Sequence, residues 1–173
     1  PLRSRFSGGV FRLEFYTDAE IEQILTRSAL VLGTDADRDA LRTISMRSRF
    51  TPRTANYLLK RCRDFAQVNK MTLSEKAVKD ALNLLEIDEL GLTSADRIVL
   101  DVLIRKFNGG PVGLSTIAAA TSEEEATVED VYEPYLIRSG LLERTPRGRV
   151  ATKRAYEHLD LMDEWKGQDT ISL

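Results

Sequence analysis

The chain has 173 residues, 42% of them hydrophobic and 30% charged, which is the composition of an ordinary globular protein. Its net charge of −2 does not by itself predict a nucleic-acid partner, so such a claim depends on how the charges are distributed. The single cysteine, Cys62, excludes an internal disulfide and a cysteine-rich zinc site, and the single histidine, His158, argues against a metal site built on histidines.

No apolar run approaches the roughly 20 residues that cross a bilayer, and no signal peptide opens the chain. A cytoplasmic protein without membrane contact is therefore expected. The chain starts at Pro1, without methionine, which indicates a fragment of a longer protein. A Gly-Gly break and alternating apolar residues predict a short strand within residues 1–16.

Residues 17–91 have the pattern of four helices joined by short turns. Thr17 and Thr72 each stand three residues before a glutamate, which is the spacing of a capping box. Gly33 follows the first helix as a left-handed cap would, and Pro52 suits the first turn of the third. The predicted starts are Thr17, about residue 37, Thr51 and Thr72. This part is therefore predicted to form a small four-helix bundle.

Residues 92–160 predict a winged helix-turn-helix. A helix from Thr93 is followed by a short helix at about 115–120 and by a longer one capped by Ser122 and Glu125. After Gly140 comes "LLERTPRGRVAT", the pattern of a β-hairpin with a Pro-Arg-Gly turn. This order of elements is typical of winged helices. Residues 161–173 have little pattern and are expected to fray.

Charge is sharply divided within the second part. The longer helix is acidic and carries Glu123, Glu124, Glu125, Glu129, Asp130 and Glu133. Between residues 138 and 154 the only acidic residue is Glu143, whereas six residues are cationic: Arg138, Arg144, Arg147, Arg149, Lys153 and Arg154. Carboxylates repel phosphates, so the acidic helix is a poor reader of bases, and the hairpin is the better candidate for DNA-backbone contact. The alternative is a merely solvated charged face.

Other candidate residues are weaker. From the sequence alone, Arg3 and Arg5 in "LRSRF" are best interpreted as ordinary surface charges. Arg53, in the first turn of a helix, is as consistent with an anion site as with a solvated arginine. The helical spacing of Tyr132 and Tyr135 favours core packing. Cys62 and His158 are expected to have no chemical role. The chain contains no Walker loop, nucleophile elbow or carboxylate dyad, so it should catalyse nothing alone.

Several of these stretches together resemble the RuvB family of bacterial Holliday-junction branch-migration ATPases. The stretches are "PLRSRF", "RLEFY", "TPRTANYLLKRCRDFAQV", "FNGGPVGL", "VEDVYEPYLI" and "GLLERTPRGRVAT". The resemblance implies a mainly α chain: the end of an AAA+ large subdomain at 1–16, a helical lid at 17–91, a winged helix at 92–160 and a tail at 161–173. It places the Walker motifs upstream of Pro1.

The resemblance also implies roles for individual residues. Arg5 matches the arginine finger that reaches the ATP of a neighbouring subunit, with Arg3 as the fallback. Tyr16 matches a nucleotide-contacting tyrosine, and Arg53 matches the sensor 2 arginine. Such a finger accelerates phosphoryl transfer by about 10³-fold or more in other NTPases. ATP and magnesium are expected to be bound mainly by the upstream part, and no metal site is expected here.

In the hairpin, Arg144 and Arg149 match DNA-contacting positions of the family, and Arg147 lies on the turn between them. Phe50 and Glu125 are two of the departures from the family pattern, and "RFSGGVF" carries an extra residue relative to the usual form. Phe50 stands where glycine is usual, so the turn before the third helix is expected to avoid a positive φ or to shift. Glu125 stands where an arginine is usual. The hairpin, which is the wing of the winged helix, is therefore expected to hold DNA with less help from the helix before it.

The implied function is that of the C-terminal part of a hexameric, ATP-driven DNA translocase. Its expected partners are duplex DNA of Holliday-junction arms, RuvA and further copies of the chain. One alternative is a non-catalytic winged-helix DNA-binding regulator, which should carry cations on its recognition helix. Another is a protein-interaction module whose acidic helix binds a basic partner. Neither alternative explains Arg5 or Arg53.

Overall fold

The computed structural model describes residues 14–165, and the chain divides into two compact units between Leu82 and Asn83. We call these the helical unit and the winged unit. The first four helices are α1 (Asp18–Val31), α2 (Arg38–Met46), α3 (Pro52–Val68) and α4 (Glu75–Leu84). In the helical unit, α1 packs against α2 and α3, and α2 also contacts α3.

Two of the predicted helix starts differ in outcome. The capping box of α1 is confirmed, because the amide of Glu20 donates to Thr17 Oγ1 and the Glu20 carboxylate accepts from the Thr17 amide at 2.8 Å. The predicted cap at Thr72 is wrong. Instead, the Ala77 amide donates to Ser74 Oγ over 3.3 Å. Leu73 forms a parallel bridge with Ala36, and this pairing keeps the chain extended until Ser74.

The core of the helical unit contains the apolar residues that recur at helical spacing. Ile21 and Leu25 of α1, together with Leu58 and Leu59 of α3, are fully buried. Cys62 is also fully buried, and this burial raises the pKa of its thiol to about 12, although Arg47 acts in the opposite direction. The thiol is therefore protonated at neutral pH and packs as a small apolar group.

The turn before α3 has an unusual backbone. Arg49 and Phe50 both adopt the left-handed conformation, with φ of 54° and 58°. The expectation that Phe50 would force this turn away from positive φ is therefore wrong. Each such residue costs about 1–2 kcal/mol relative to the right-handed form. The Thr51 amide donates to Ser48 O over 3.2 Å, and the closed turn leads directly into α3.

The winged unit combines further helices with a small antiparallel sheet. Its elements are α5 (Ser94–Phe107), α6 (Leu114–Thr121), α7 (Glu125–Thr127), a π-helical segment (Val128–Tyr132), α8 (Glu133–Arg138), β1 (Leu142–Thr145), β2 (Gly148–Ala151), α9 (Lys153–His158) and a 3₁₀ turn (Met162–Glu164). Helices, a two-stranded hairpin and their order confirm the predicted fold class. Within residues 14–165, no helix is both long and apolar enough to cross a membrane.

The hairpin is joined by a third short segment that the sequence pattern did not reveal. Val112 and Arg149 exchange both backbone hydrogen bonds, with N–O distances of 2.9 and 2.7 Å. Gly148 has a φ of 138°, and a Cβ there would lie 2.4 Å from Val112 O. Only glycine lets the two backbones approach so closely. This bridge ties the turn end of the hairpin to the segment between α5 and α6.

The helix boundaries of the winged unit bring one confirmation and two corrections. The predicted helix start at Thr93 is confirmed, and Thr93 forms a capping box with Asp96. The predicted cap at Ser122 is wrong, because Ser122 is left-handed, with a φ of 59°, and ends α6. Helix α9 was not predicted from the sequence. It is capped by Thr152, whose hydroxyl accepts from the Ala155 amide.

The C-terminal end of the described chain packs onto the winged unit. Trp165 lies edge-on to Tyr156, with ring centroids 4.8 Å apart and an interplanar angle of 74°. Leu161 is buried, and its amide donates to Tyr156 O over 2.8 Å. The expectation of a frayed tail is therefore wrong for residues 161–165. Aromatic burial here extends the core past α9.

Candidate nucleic-acid interface on the wing

The hairpin brings Arg144 and Arg149 directly opposite each other. They are paired in the antiparallel register of β1 and β2, so their side chains share one face of the hairpin. Two like charges at this spacing repel unless carboxylates neutralise them. Pro146 and Arg147 form the tip between Thr145 and Gly148.

The neutralising carboxylates come from the acidic helix, by which we mean residues 125–138. Arg149 donates from Nε and Nη2 to Glu133 Oε2 at 3.0 and 2.9 Å. Arg144 Nε lies 3.0 Å from Glu133 Oε1, and Arg144 Nη2 bonds to Glu129. Glu129 also lies 3.8 Å from Arg149 Nη2. We call these four residues the wing cluster.

The two sides of the wing cluster differ greatly in solvent exposure. The side chains of Arg149 and Glu133 are 12% and 3% exposed, whereas those of Arg144 and Glu129 are 51% and 46% exposed. A buried charge pair loses much when one partner is removed, while an exposed pair contributes little to stability. Arg149 and Glu133 are therefore structural, and Arg144 and Glu129 can exchange their partners.

Arg144 is held firmly in its charged form. The hydrogen bond to Glu129, followed by the charge of Glu133, raises the pKa of the Arg144 guanidinium above its ordinary value. Its charge is thus fixed at any physiological pH, and only its partner can change.

The tip of the wing carries a cation with a different setting. Arg147 is exposed, and its amide donates to Thr145 Oγ1, which in turn donates to Gly148 O. Within residues 14–165, no ion pair involves the Arg147 guanidinium. Lys153, by contrast, lies 3.6 Å from Glu157. Arg147 is consequently the wing cation most accessible to an external anion.

The sequence predicted six carboxylates on one helix, but Glu123 and Glu124 precede the acidic helix in the structure. The sequence also did not reveal that two of the remaining carboxylates bind the wing arginines. Glu129 and Glu133 are four residues apart, which puts them on one helical face. This spacing was the available signal. It did not identify the arginine partners, because those lie 15 and 16 residues further along the chain.

A second group of candidate residues lies in the helical unit. Arg53 is exposed in the first turn of α3, and that turn contains no acidic residue. Thr51 is the N-cap residue of α3, but its hydroxyl forms hydrogen bonds with Thr54 Oγ1 and Ser48 O and accepts from none of the first-turn amides. The amides and the guanidinium together fit an anion. Tyr16 is 45% exposed, just ahead of α1.

Arg3 and Arg5 lie outside the described residues. Within residues 14–165, no group of three or more histidine, cysteine, aspartate or glutamate side chains comes together in a way that could hold a metal ion.

His158 has a structural contact that its isolation in the sequence did not predict. Its Nε2 lies 2.9 Å from Asp88 Oδ2, and Asp88 Oδ1 accepts from the amides of Leu92 and Leu90. Burial opposes ionisation of Asp88. The hydrogen bonds from His158 and the two amides outweigh that effect and lower the pKa of the carboxyl. The cluster ties the segment before α5 to α9.

Tyr132 and Tyr135 are half-buried against the core of the winged unit, which confirms their predicted packing role. The Tyr132 hydroxyl donates to Glu123 at 3.1 Å, and the Tyr135 hydroxyl donates to Leu90 O. These contacts align the acidic helix, and with it Glu129 and Glu133, against the rest of the unit.

Two family profiles match this chain in adjoining ranges. The profile described as the RuvB AAA lid domain matches residues 16–88, and the RuvB C-terminal winged helix domain matches residues 89–160. The chain belongs to the RuvB family.

RuvB relatives match across most of the chain. The Holliday junction branch migration complex subunit RuvB of Dehalococcoides mccartyi is 55% identical over 163 residues, covering 93% of this chain and 46% of the relative. The same subunit of Chloroflexus aggregans is 54% identical, with the same two coverages. The chain thus spans about half the length of the curated relatives it matches.

A solved RuvB structure has the same fold. The Thermotoga maritima RuvB Holliday junction branch migration motor superposes with a TM-score of 0.86 at 43% identity. The match covers 92% of this chain and 53% of that one. The RuvB fold therefore accounts for both units of the chain.

Proposed function

We propose that this chain is the lid and winged-helix part of an ATP-dependent motor that drives branch migration of Holliday junctions. The observation that carries the proposal is the succession of two RuvB domain matches over residues 16–160. In the intact protein, ATP hydrolysis between subunits would move the lids, and the wings would act on the duplex arms. The proposed partners are junction DNA, RuvA and further copies of the chain, all in the cytoplasm.

We propose that the wing contacts the phosphate backbone and not the bases. The acidic helix occupies the position of a recognition helix, and its carboxylates would be repelled by phosphates lining a groove. A translocase needs contacts that are independent of sequence, and phosphate contacts have this property. A regulator that reads bases would need donors on this helix, so the non-catalytic regulator is the less favoured reading.

The three wing arginines have different proposed roles. Arg147, exposed at the tip, would be the first to meet a phosphate. Arg144 would add a second contact from its exposed position. Arg149, whose side chain is 12% exposed, would contribute chiefly by holding β2 against Glu133. All three belong to the proposed DNA interface, but only Arg147 and Arg144 have room for a direct contact.

At the other end of the chain, we propose that Arg53 and Tyr16 contact nucleotide. When bound, ATP would supply the free energy of translocation through its hydrolysis. Arg53 would complement phosphate charge together with the first-turn amides of α3, and Tyr16 would contact the same nucleotide. Arg5, or Arg3 if the register differs, would extend to the ATP of a neighbouring subunit. Magnesium would be held by the phosphates and the upstream part of the protein.

The wing assignment is tested by duplex binding of Arg147→Ala, measured by fluorescence anisotropy on two short labelled duplexes of unrelated sequence. We expect weaker binding to both duplexes, and a slope of log K against log salt that is smaller by about 1, because one phosphate contact is lost.

The matched control is Lys106→Ala, which removes one exposed cation at the end of α5, in the same unit but outside the two strands of the wing. If the two variants bind equally, the effect is one of net charge and the wing assignment is wrong. A loss confined to one of the two duplexes would instead favour base reading and the regulator.

A further inference from the structure

The wing cluster contains two ion pairs of opposite character. Glu133 is almost fully buried and holds Arg149 through two hydrogen bonds. Glu129 is 46% exposed and holds Arg144, which is 51% exposed. The first pair is part of the core, and the second lies at the surface of the proposed DNA interface. A phosphate that approaches Arg144 therefore meets a guanidinium that already has an anionic partner.

We propose that Glu129 is an internal competitor for DNA phosphate at Arg144, and that it limits how tightly the wing holds the duplex. This inference rests on the proposed function of the wing. In the free protein Glu129 neutralises Arg144. When DNA binds, a phosphate replaces the Glu129 carboxylate, and the released carboxylate returns to solvent. A motor that must release DNA in each cycle gains from such a reversible contact.

The competition has consequences for affinity and for salt dependence. An exposed ion pair contributes about 0.2–1 kcal/mol, so its loss on binding lowers affinity by up to about fivefold. The released carboxylate attracts cations from solution, and this uptake offsets the cations that the phosphate releases. Arg144 therefore adds less to the salt slope than a phosphate contact ordinarily does, about 0.9 on B-DNA.

Glu133 is not suited to the same role. It is 3% exposed and neutralises Arg149, which has little access to solvent. Replacing Glu133 would leave the Arg149 charge buried without its main partner, which damages the fold before it changes DNA binding. The exposed position of Glu129 makes it the member of the cluster that can be released without unfolding.

The test is Glu129→Gln in the full chain, with Glu143→Gln as its matched control. Glu143 is exposed and precedes Arg144 on the same strand, so its side chain points to the opposite face of the hairpin. Both variants raise the net charge equally, close to the same arginine. Only the first removes the exposed carboxylate partner of Arg144.

The measurement is anisotropy binding to a short labelled duplex across a potassium chloride series. We expect Glu129→Gln to bind about two- to fivefold tighter than Glu143→Gln at low salt, with a steeper salt slope. The advantage should disappear when Arg144→Ala is present in both variants. Equal affinities for the two glutamine variants, or an advantage that survives Arg144→Ala, would overturn the proposal.

Failure of the underlying function has a different signature. If Arg147→Ala binds duplex as well as Lys106→Ala, the wing is not the DNA interface and both proposals fail. If Arg147→Ala weakens binding but Glu129→Gln and Glu143→Gln are alike, the wing binds DNA and only the competition is wrong.

Discussion

At the scale of single residues, the same amino-acid type has different tasks in different surroundings. Arg149 is shielded and fixed to Glu133, Arg144 is exposed and shared between two carboxylates, and Arg147 is exposed at the tip. Burial decides among these tasks, because a shielded charge must keep its partner while an exposed one can change it.

Cys62 permits a direct test of this principle of burial in the helical unit. Its thiol is fully buried and its pKa is raised to about 12, so almost no thiolate is present at neutral pH. We expect no reaction with Ellman's reagent in the folded chain. One thiol per chain should react after denaturation in guanidinium chloride. Rapid labelling of the native protein would show that the packing around Cys62 is open.

At the scale of elements, the wing depends on backbone pairing as well as on its turn. Val112 pairs with Arg149 and so extends the hairpin toward the segment before α6. This bridge sets the position of Arg149 relative to the acidic helix. The geometry requires glycine at 148, where the chain passes directly over the Val112 backbone.

Gly148→Ala is therefore expected to destabilise the winged unit by about 2 kcal/mol or more, because the added Cβ would meet backbone atoms at a strained φ. Urea unfolding followed by Trp165 fluorescence measures the change. Gly113→Ala is the control, since the φ of Gly113 is ordinary and the added Cβ would lie 4.0 Å from Thr116 Oγ1, an ordinary contact distance. It should cost less than about 1 kcal/mol. Similar losses for both variants would contradict this account.

At the scale of the whole molecule, a nearly neutral chain contains separated charges that are partly cancelled by folding. The net charge is −2, yet the acidic helix and the wing carry opposite charges that meet in the wing cluster. Each unit also has an intrinsic probe. Cys62 lies in the helical unit and Trp165 in the winged unit, so the unfolding of each can be followed separately.

These probes allow a test of acid stability. The pKa of Asp88 is lowered from its ordinary value of 3.8, so its contribution to stability is fully present above that pH and is lost as pH falls through the lower folded value. We expect Asp88→Asn to lower the urea midpoint of the Trp165 transition at neutral pH and to flatten its decline in acid.

Asp160→Asn, at an exposed position of the same unit, is the control and should keep the wild-type profile. Asp160 has a φ of 56°, which asparagine also tolerates. If Asp88→Asn and Asp160→Asn have the same profile, the contact between Asp88 and His158 does not stabilise the winged unit.

The sequence by itself determined the features that depend on local spacing. Helical periodicity located most of the helices, Thr17 and Thr93 marked two helix starts, and the Pro-Arg-Gly turn located the hairpin. Family motifs were equally local, so the resemblance to RuvB could be recognised before any contact was known. These signals lie within a few residues of one another, where chain geometry alone relates them.

Only the tertiary structure decided the contacts between distant segments. The bridge between Ala36 and Leu73 keeps residue 73 extended, so α4 begins later than the sequence predicted. Trp165 packs against Tyr156 in the winged unit, although the residues around it in the sequence have no helical or strand pattern. Sequence and structure differ most at the wing. Its run of cations suggested that all of them are available to a partner, whereas the fold pairs Arg144 and Arg149 with carboxylates. Which charges remain available to DNA is thus set by packing, since burial and distance fix the partner of each charge.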